Sequence, residues 1–93
     1  MTTQQCVVKR YKGICQPYDP KKVYGSVYAA CYVAKMGSDH CEHIAEKVMK
    51  EITRFVKGKQ EISSVMIKKK AATTLRKLHK DAAFLYETHE DVN

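Results

Sequence analysis

The chain has 93 residues, enough for one domain with a modest hydrophobic core but not for two. Its 17 Lys and Arg residues against 10 Asp and Glu give a formal net charge of +7, which favours anionic partners such as nucleotides, nucleic acid or acidic lipid. No apolar run approaches the ~20 residues that cross a bilayer, and the N-terminus lacks the pattern of a signal peptide. We therefore expect a cytoplasmic protein without a membrane partner.

Two short strands joined by a turn are predicted near the N-terminus. The β-branched pair before Lys9 and Arg10 is typical of a strand, Lys12-Gly13 supplies a turn, and residues 14–18 return as a second strand. This hairpin sets two adjacent cations close to the start of the helix that follows.

The first helix is predicted to begin at Asp19, an N-cap residue, with Pro20 in its first position. Lys21 and Lys22 then fall in the first turn, at the positive end of the helix dipole. A bound phosphate would offset that unfavourable placement, because it also accepts hydrogen bonds from the free backbone N–H groups. The sequence thus predicts an anion site here, although both lysines could simply point into water.

Apolar periodicity predicts the remaining elements. The first helix covers residues 20–35 and ends at Gly37, and a second runs from a cap at Ser38 to Gly58. Residues 60–63 could add a short strand to the hairpin edge, with Ser63 or Ser64 capping a third helix, and a last helix covers residues 81–88. The predicted buried positions are Val23, Val27, Ala30, Cys31 and Ala34, then Cys41, Ala45, Val48, Ile52 and Phe55, then Ile67, Ala71, Leu75 and Leu78, and finally Ala82, Leu85 and Tyr86.

The predicted fold class is α+β and mainly α: a small four-helix bundle capped at one end by a short two- or three-stranded β-sheet. Residues 1–5 and 90–93 are expected to be flexible ends of a domain that spans residues 6–89. The four cysteines, at positions 6, 15, 31 and 41, have no paired spacing, so neither a disulfide framework nor a zinc ribbon is expected. Cys31 and Cys41 look like small core residues.

The ordered pieces VVKRYKG and QPYDPKKV resemble the opening signature of the ATP-cone domain, usually Val-x-Lys-Arg-x-Gly followed by Pro-Phe-Asp-x-x-Lys-Ile. Here Tyr18 stands in place of the phenylalanine, and one extra residue separates Lys-Arg from glycine. The later elements follow in family order to about residue 89. ATP cones are the nucleotide-sensing modules at the N-terminus of ribonucleotide reductases, and they follow a zinc ribbon in the bacterial repressors of reductase genes.

The resemblance implies which residues meet the phosphates of a bound nucleotide. Lys9 and Arg10 match the family pair that meets the triphosphate, and Lys22 matches a lysine near the nucleotide. Lys68, in the third helix, occupies a position that touches phosphate in the family. Residues 68–70 would otherwise be a solvated run of lysines.

The resemblance also implies contacts with the base and the ribose. Gln16 and Asp19 sit where the family makes these contacts, although Asp19 could be a plain helix cap. Ser64 occupies a position that touches the base. Val8 and Val23 would contact the purine or seal the core beneath it.

Tyr24, Tyr28 and Tyr32 repeat every four residues along the first helix. A stripe of this kind is more typical of a packing or oligomer surface than of a ligand platform. Together with the neighbouring core positions it widens the apolar surface of the helix, which predicts self-association.

The predicted function is a free-standing ATP-cone-like regulatory module and not an enzyme. It would bind ATP or dATP, with Mg²⁺ as a candidate companion ion, and signal occupancy through self-association or through a partner such as a ribonucleotide reductase or regulator. The alternative is a small basic nucleic-acid-binding protein, suggested by the basic stretch at residues 68–80 with Arg76, Lys77 and Lys80. A weaker alternative is a metal site at His40 and His43.

Overall fold

The computed structural model describes residues 6–8 and 15–88. Within them the chain forms three strands and four helices, so the prediction of a mainly helical chain with four helices is confirmed. The predictions on Lys9, Arg10, the turn at Gly13 and both termini lie outside the described residues. In chain order the elements are β1 (Cys6–Val8), β2 (Cys15–Pro17), α1 (Pro20–Val33), α2 (Ser38–Val56), β3 (Glu61–Ser63), α3 (Ser64–Leu78) and α4 (Lys80–Thr88).

The three strands form one sheet in the order β2-β1-β3. β1 pairs antiparallel with β2, where Val7 lies opposite Gln16, and parallel with β3, where Val7 lies opposite Ile62. Val7 and Ile62 are buried and belong to the same hydrophobic core as the helices. The sheet is therefore attached to the helices through its central strand and one edge strand.

α1 begins where the sequence predicted, but it ends earlier. The Asp19 side chain accepts a hydrogen bond from the backbone N–H of Lys21 at 3.0 Å, and Pro20 is the first helical residue. The helix stops at Val33, two residues before the predicted end, because Lys35 takes a left-handed backbone with φ 68°. This residue ends the helix in the way that glycine usually does. The prediction that Gly37 ends α1 is wrong.

Gly37 instead precedes α2 as its N-cap, and its carbonyl accepts a hydrogen bond from the N–H of Cys41 at 2.9 Å. The prediction that Ser38 caps this helix is also wrong, since Ser38 is already the first helical residue and no side-chain cap bond forms. At the other end Gly58, with φ 87°, follows the last turn, so its predicted role as the stop of α2 is confirmed. Ser63 caps α3 by accepting from the N–H of Val65 at 3.0 Å.

The core is formed by the predicted apolar faces of all four helices. The prediction that Leu78 is buried is wrong, because this residue lies at the end of α3 with 38% of its surface exposed. Ala34, Phe55, Ile67 and Leu85 are half-buried and pack against the core. The fully buried side chains of largest volume are Val27 and Cys31 on α1, Cys41, Val48, Ile52 and Val56 on α2, and Leu75 on α3.

Cys31 and Cys41 are free and buried, which confirms their predicted place in the core. Burial raises the pKa of the Cys31 thiol to about 11, and the nearby Cys41 adds to the rise. The Cys31 thiol is therefore structural rather than reactive. The expectation of no disulfide is wrong for Cys15 on β2, which is disulfide-bonded. Spacing along the chain is a poor guide to a pairing that depends on distances in the fold.

Candidate functional site

The sheet brings distant parts of the predicted site next to one another. β1 and β3 run parallel with Val8 opposite Ser63, so the chain leaves β1 beside the first residue of α3, Ser64. β2 runs in the opposite direction, and Asp19 follows two residues beyond its far end. Because each strand has three residues, the two ends of the sheet are only about 7 Å apart.

The N-terminus of α1 is a basic helix start with an occupied cap. Asp19 is exposed, and its carboxylate already accepts from the N–H of Lys21. The first turn contains no acidic residue, and Lys21 and Lys22 are both exposed. Among the described residues neither lysine has a carboxylate within ion-pair distance. Lys22 is therefore accessible to an anion, whereas Asp19 has a structural role of its own.

The two roles open to Asp19 can be separated by substitution. We expect Asp19→Ala to lower the free energy of unfolding by about 1 kcal/mol, because α1 loses its cap, and Asp19→Ser to keep most of that stability. The measurement is urea denaturation, followed by ATP titration of both variants. If Asp19→Ser bound ATP as the wild type does, Asp19 would be a cap and not a ribose ligand.

The N-terminus of α3 is the second helix start without an acidic residue in its first turn. Ser64 and Lys68 are half-buried and four residues apart, which places them on the same helix face. Lys68 has no carboxylate partner among residues 6–8 and 15–88. The pair that the family resemblance assigns to base and phosphate thus shares one face of α3.

The other residues predicted to contact the nucleotide lie in the core or on the strands of the sheet. Val23 is buried in the core, as expected for a residue that seals the floor of a site. Gln16 is half-buried on β2, opposite Val7, and Val8 pairs with Cys15 and Ser63 through the backbone of β1. Lys9 and Arg10 lie outside the described residues.

Tyr18 replaces the family phenylalanine, and its extra hydroxyl has a partner. Its hydroxyl oxygen lies 3.0 Å from Thr53 Oγ1 on α2. Partial burial raises the pKa of the Tyr18 hydroxyl and Asp19 adds to the rise, while the hydrogen bond to Thr53 opposes it. The residue joins the start of α1 to the last turn of α2, a connection that the sequence did not indicate.

A second set of contacts that the sequence did not predict joins two lysines to Phe55. Lys59 Nζ donates to the Phe55 carbonyl oxygen at 2.7 Å and lies 4.4 Å from the ring centroid. Lys70 Nζ lies 5.5 Å from the same centroid. The spacing of Phe55 and Lys59 by four residues could have indicated the first contact. The second depends on how α3 packs against α2.

Of the features behind the two alternative functions, one basic residue is engaged in an ion pair and the described residues form no metal-ligand cluster. Arg76, in the basic stretch of α3, forms an ion pair with Glu87 of α4, whereas Lys77 and Lys80 are exposed. His40 and His43 are exposed, and in the described part of the chain no group of three or more potential ligands could hold a metal ion. None of the helices described has the length and apolar character that crossing a bilayer requires.

The described residues thus form a small, mainly helical domain in which two helices, α1 and α3, begin with no carboxylate in the first turn. The family model described as the ATP cone domain matches residues 5–88, nearly the whole chain. The chain belongs to the ATP-cone family, as its sequence indicated. Domains of this family are regulatory modules that bind ATP or dATP, so membership suggests a nucleotide-binding regulatory role. A comparison with curated proteins gives no match.

Proposed function

We propose that this protein senses adenine nucleotides and converts their binding into a change of association, either with itself or with a separate partner such as a ribonucleotide reductase or its regulator. The observation that carries the proposal is the family match across residues 5–88. The net charge of +7 supports it, as does the exposed Lys22, which has no ion-pair partner among residues 6–8 and 15–88, because a triphosphate needs cations that are not already neutralised.

In this proposal the nucleotide lies beside the sheet, between the starts of α1 and α3. The phosphates would be bound by cationic side chains, with Mg²⁺ carried by the triphosphate. The base and ribose would be recognised by polar side chains on β2, before α1 and at the start of α3, while Val8 and Val23 would contact the purine or seal the core beneath it. The phosphate ligands are Lys9, Arg10, Lys22 and Lys68, and the base and ribose ligands are Gln16, Asp19 and Ser64.

The signal would arise from differential binding. A ligand shifts an equilibrium only through its different affinity for two states, so a regulatory module reports occupancy through the contacts that it makes. α1 is suited to this role because it carries Lys22 in its first turn and exposed apolar side chains in its last. Its 14 residues form one continuous element about 21 Å long.

A panel of ligands tests the proposal through the melting temperature and through calorimetry. We expect ATP and dATP to bind at micromolar concentrations and raise the melting temperature, since a ligand at 100 times its Kd stabilises the folded state by ~2.7 kcal/mol. GTP, inorganic triphosphate and a short DNA duplex serve as controls.

Each control answers a different question. If inorganic triphosphate and GTP stabilised the protein as much as ATP, recognition of the base through Gln16, Asp19 and Ser64 would be rejected. If the DNA duplex bound more tightly than ATP, the nucleic-acid-binding alternative would replace the proposal.

A further inference from the structure

Tyr18 links the connection between β2 and α1 to the end of α2. Its hydroxyl oxygen lies 3.0 Å from Thr53 Oγ1, and its ring packs against the hydrophobic core. Partial burial raises the pKa of the Tyr18 hydroxyl, so this group is protonated at neutral pH and able to donate to Thr53. The family signature usually has phenylalanine here, so the hydroxyl and its hydrogen bond are a departure of this chain from the usual pattern.

The connection that Tyr18 anchors is short and stiff. β2 ends at Pro17 and α1 begins at Pro20, so only Tyr18 and Asp19 lie between the two elements. Each proline fixes its own φ angle and restricts the residue before it, which leaves few backbone angles free to change. The position of Tyr18 is therefore transmitted to Gln16 on β2 and to the cap of α1.

β2 depends on this anchor more than α1 does. None of the three residues of β2 is buried, and the strand contributes no side chain to the hydrophobic core. It is held by its pairing with β1 and, beyond its end, by Tyr18. α1 is instead fixed by its own buried residues, among them Val23 and Val27. Loss of the hydrogen bond would thus loosen Gln16 on β2 more than Lys22 on α1.

The last turn of α2 also contacts α3. Lys70 Nζ lies 5.5 Å from the centroid of the Phe55 ring, and Lys70 is two residues beyond Lys68. Thr53 and Phe55 are two residues apart, so they lie about 200° apart around the helix. One turn of α2 therefore contacts the connection between β2 and α1 on one side and α3 on another.

We propose that the hydrogen bond between Tyr18 and Thr53 positions the base-recognising side of the nucleotide site, and that it contributes to the preference for ATP over a ligand with phosphates alone. This inference rests on the proposed function, in which Gln16 contacts the base or ribose and Lys22 the phosphates. Tyr18 is a positioning residue that acts through Gln16. A molecule in which β2 is displaced still offers Lys22 to a phosphate, but it lacks the contact with the base.

Calorimetric titration of the wild type and of Tyr18→Phe, with ATP and with inorganic triphosphate, tests the proposal. The variant keeps the ring and carries the usual family residue, so it removes the hydroxyl alone. We expect the affinity for ATP to fall roughly three- to tenfold, the range for loss of one hydrogen bond, because a smaller fraction of molecules holds β2 in the binding position. The affinity for inorganic triphosphate should be unchanged.

Variants of Thr53 identify the hydrogen bond as the cause. Thr53→Val has nearly the same shape but no hydroxyl, so it should lower the affinity for ATP as Tyr18→Phe does. Thr53→Ser keeps the hydroxyl and should bind ATP as the wild type does. The double variant Tyr18→Phe, Thr53→Val should lose no more affinity than either single variant, because both substitutions remove the same bond.

Tyr32→Phe is the matched control for the loss of a tyrosine hydroxyl. The tyrosines of α1 do not form one exposed surface: Tyr24 and Tyr28 pack against the core and stack with their ring centroids 6.1 Å apart, whereas 68% of the Tyr32 surface is exposed. Tyr32 lies in the last turn of α1, about 18 Å along the helix from Pro20. Its substitution should leave the affinity for both ligands unchanged.

Three outcomes would overturn this inference while leaving the proposed function in place. The first is a Tyr18→Phe variant that binds ATP as tightly as the wild type. The second is an equal loss of affinity for ATP and for inorganic triphosphate, which would indicate a general effect on the structure. The third is a double variant whose loss is the product of the two single losses. A wild type that binds no ATP, or binds it no better than inorganic triphosphate, would instead refute the proposed recognition of the nucleotide, and the inference with it.

Discussion

Lys22→Ala is expected to lower the affinity for ATP about tenfold or more while the fold persists. Lys22 is exposed in the first turn of α1 and has no ion-pair partner among the described residues, so its charge is available to a phosphate. Removing a charge-assisted contact of this kind costs about 1.5–3 kcal/mol of binding free energy. Isothermal titration calorimetry measures the change, and Lys9→Ala, at the signature position in the family, should give a loss of the same size.

Lys21→Ala is the matched control for Lys22. The two lysines are adjacent, equally charged and both exposed, but only Lys22 occupies the position of the family lysine. Lys21→Ala should therefore change the affinity by less than about threefold, as expected for a surface charge that makes no direct contact. An equal loss of affinity in both variants would mean that ATP binding depends on the overall positive charge and not on a direct contact with Lys22. Unchanged affinity in Lys9→Ala and Lys22→Ala would place the nucleotide elsewhere.

Leu75→Ala is expected to lower the free energy of unfolding by about 2–5 kcal/mol. Leu75 is fully buried in the core, on the helix that packs against both α2 and α4. Small domains are stable by only about 5–15 kcal/mol, so this loss is a large fraction of the total. Urea denaturation followed by circular dichroism measures it.

Leu78→Ala provides the comparison, because the same side chain is removed three residues later on α3. Leu78 is 38% exposed, so its removal leaves no closed cavity and should cost less than about 1 kcal/mol. A similar loss at both positions would contradict the burial that distinguishes them.

The helices were predictable because their apolar periodicity is strong and several of their ends carry clear signals. Asp19 followed by Pro20 identifies the start of α1, and Gly58 identifies the end of α2. The end of α1 was not predictable in the same way. The left-handed residue there is Lys35, whereas the sequence offers a glycine two positions later, and a lysine in this conformation carries no sequence signal.

For the candidate site, the sequence indicates which residue types are present but not where tertiary packing directs them. Lys68 and Lys70 look equivalent in a run of lysines, yet Lys70 approaches the Phe55 ring. The hydrogen bond between Tyr18 and Thr53 joins residues 35 positions apart, and no local pattern announces such a pair. The outward direction of Tyr32, unlike Tyr24 and Tyr28, likewise depends on where α1 meets its neighbours.

The central position of β1 has a consequence for the kinetics of the domain. Its antiparallel neighbour β2 is close in sequence, but its parallel neighbour β3 comes only after both α1 and α2. Pairing β1 with β3 therefore closes a long loop and costs chain entropy that local contacts do not. A nucleotide that contacts the end of β1 and the start of α3, as we propose, would act as a non-covalent crosslink across that loop. It would slow the unfolding of the whole domain and hold together two segments that are far apart along the chain.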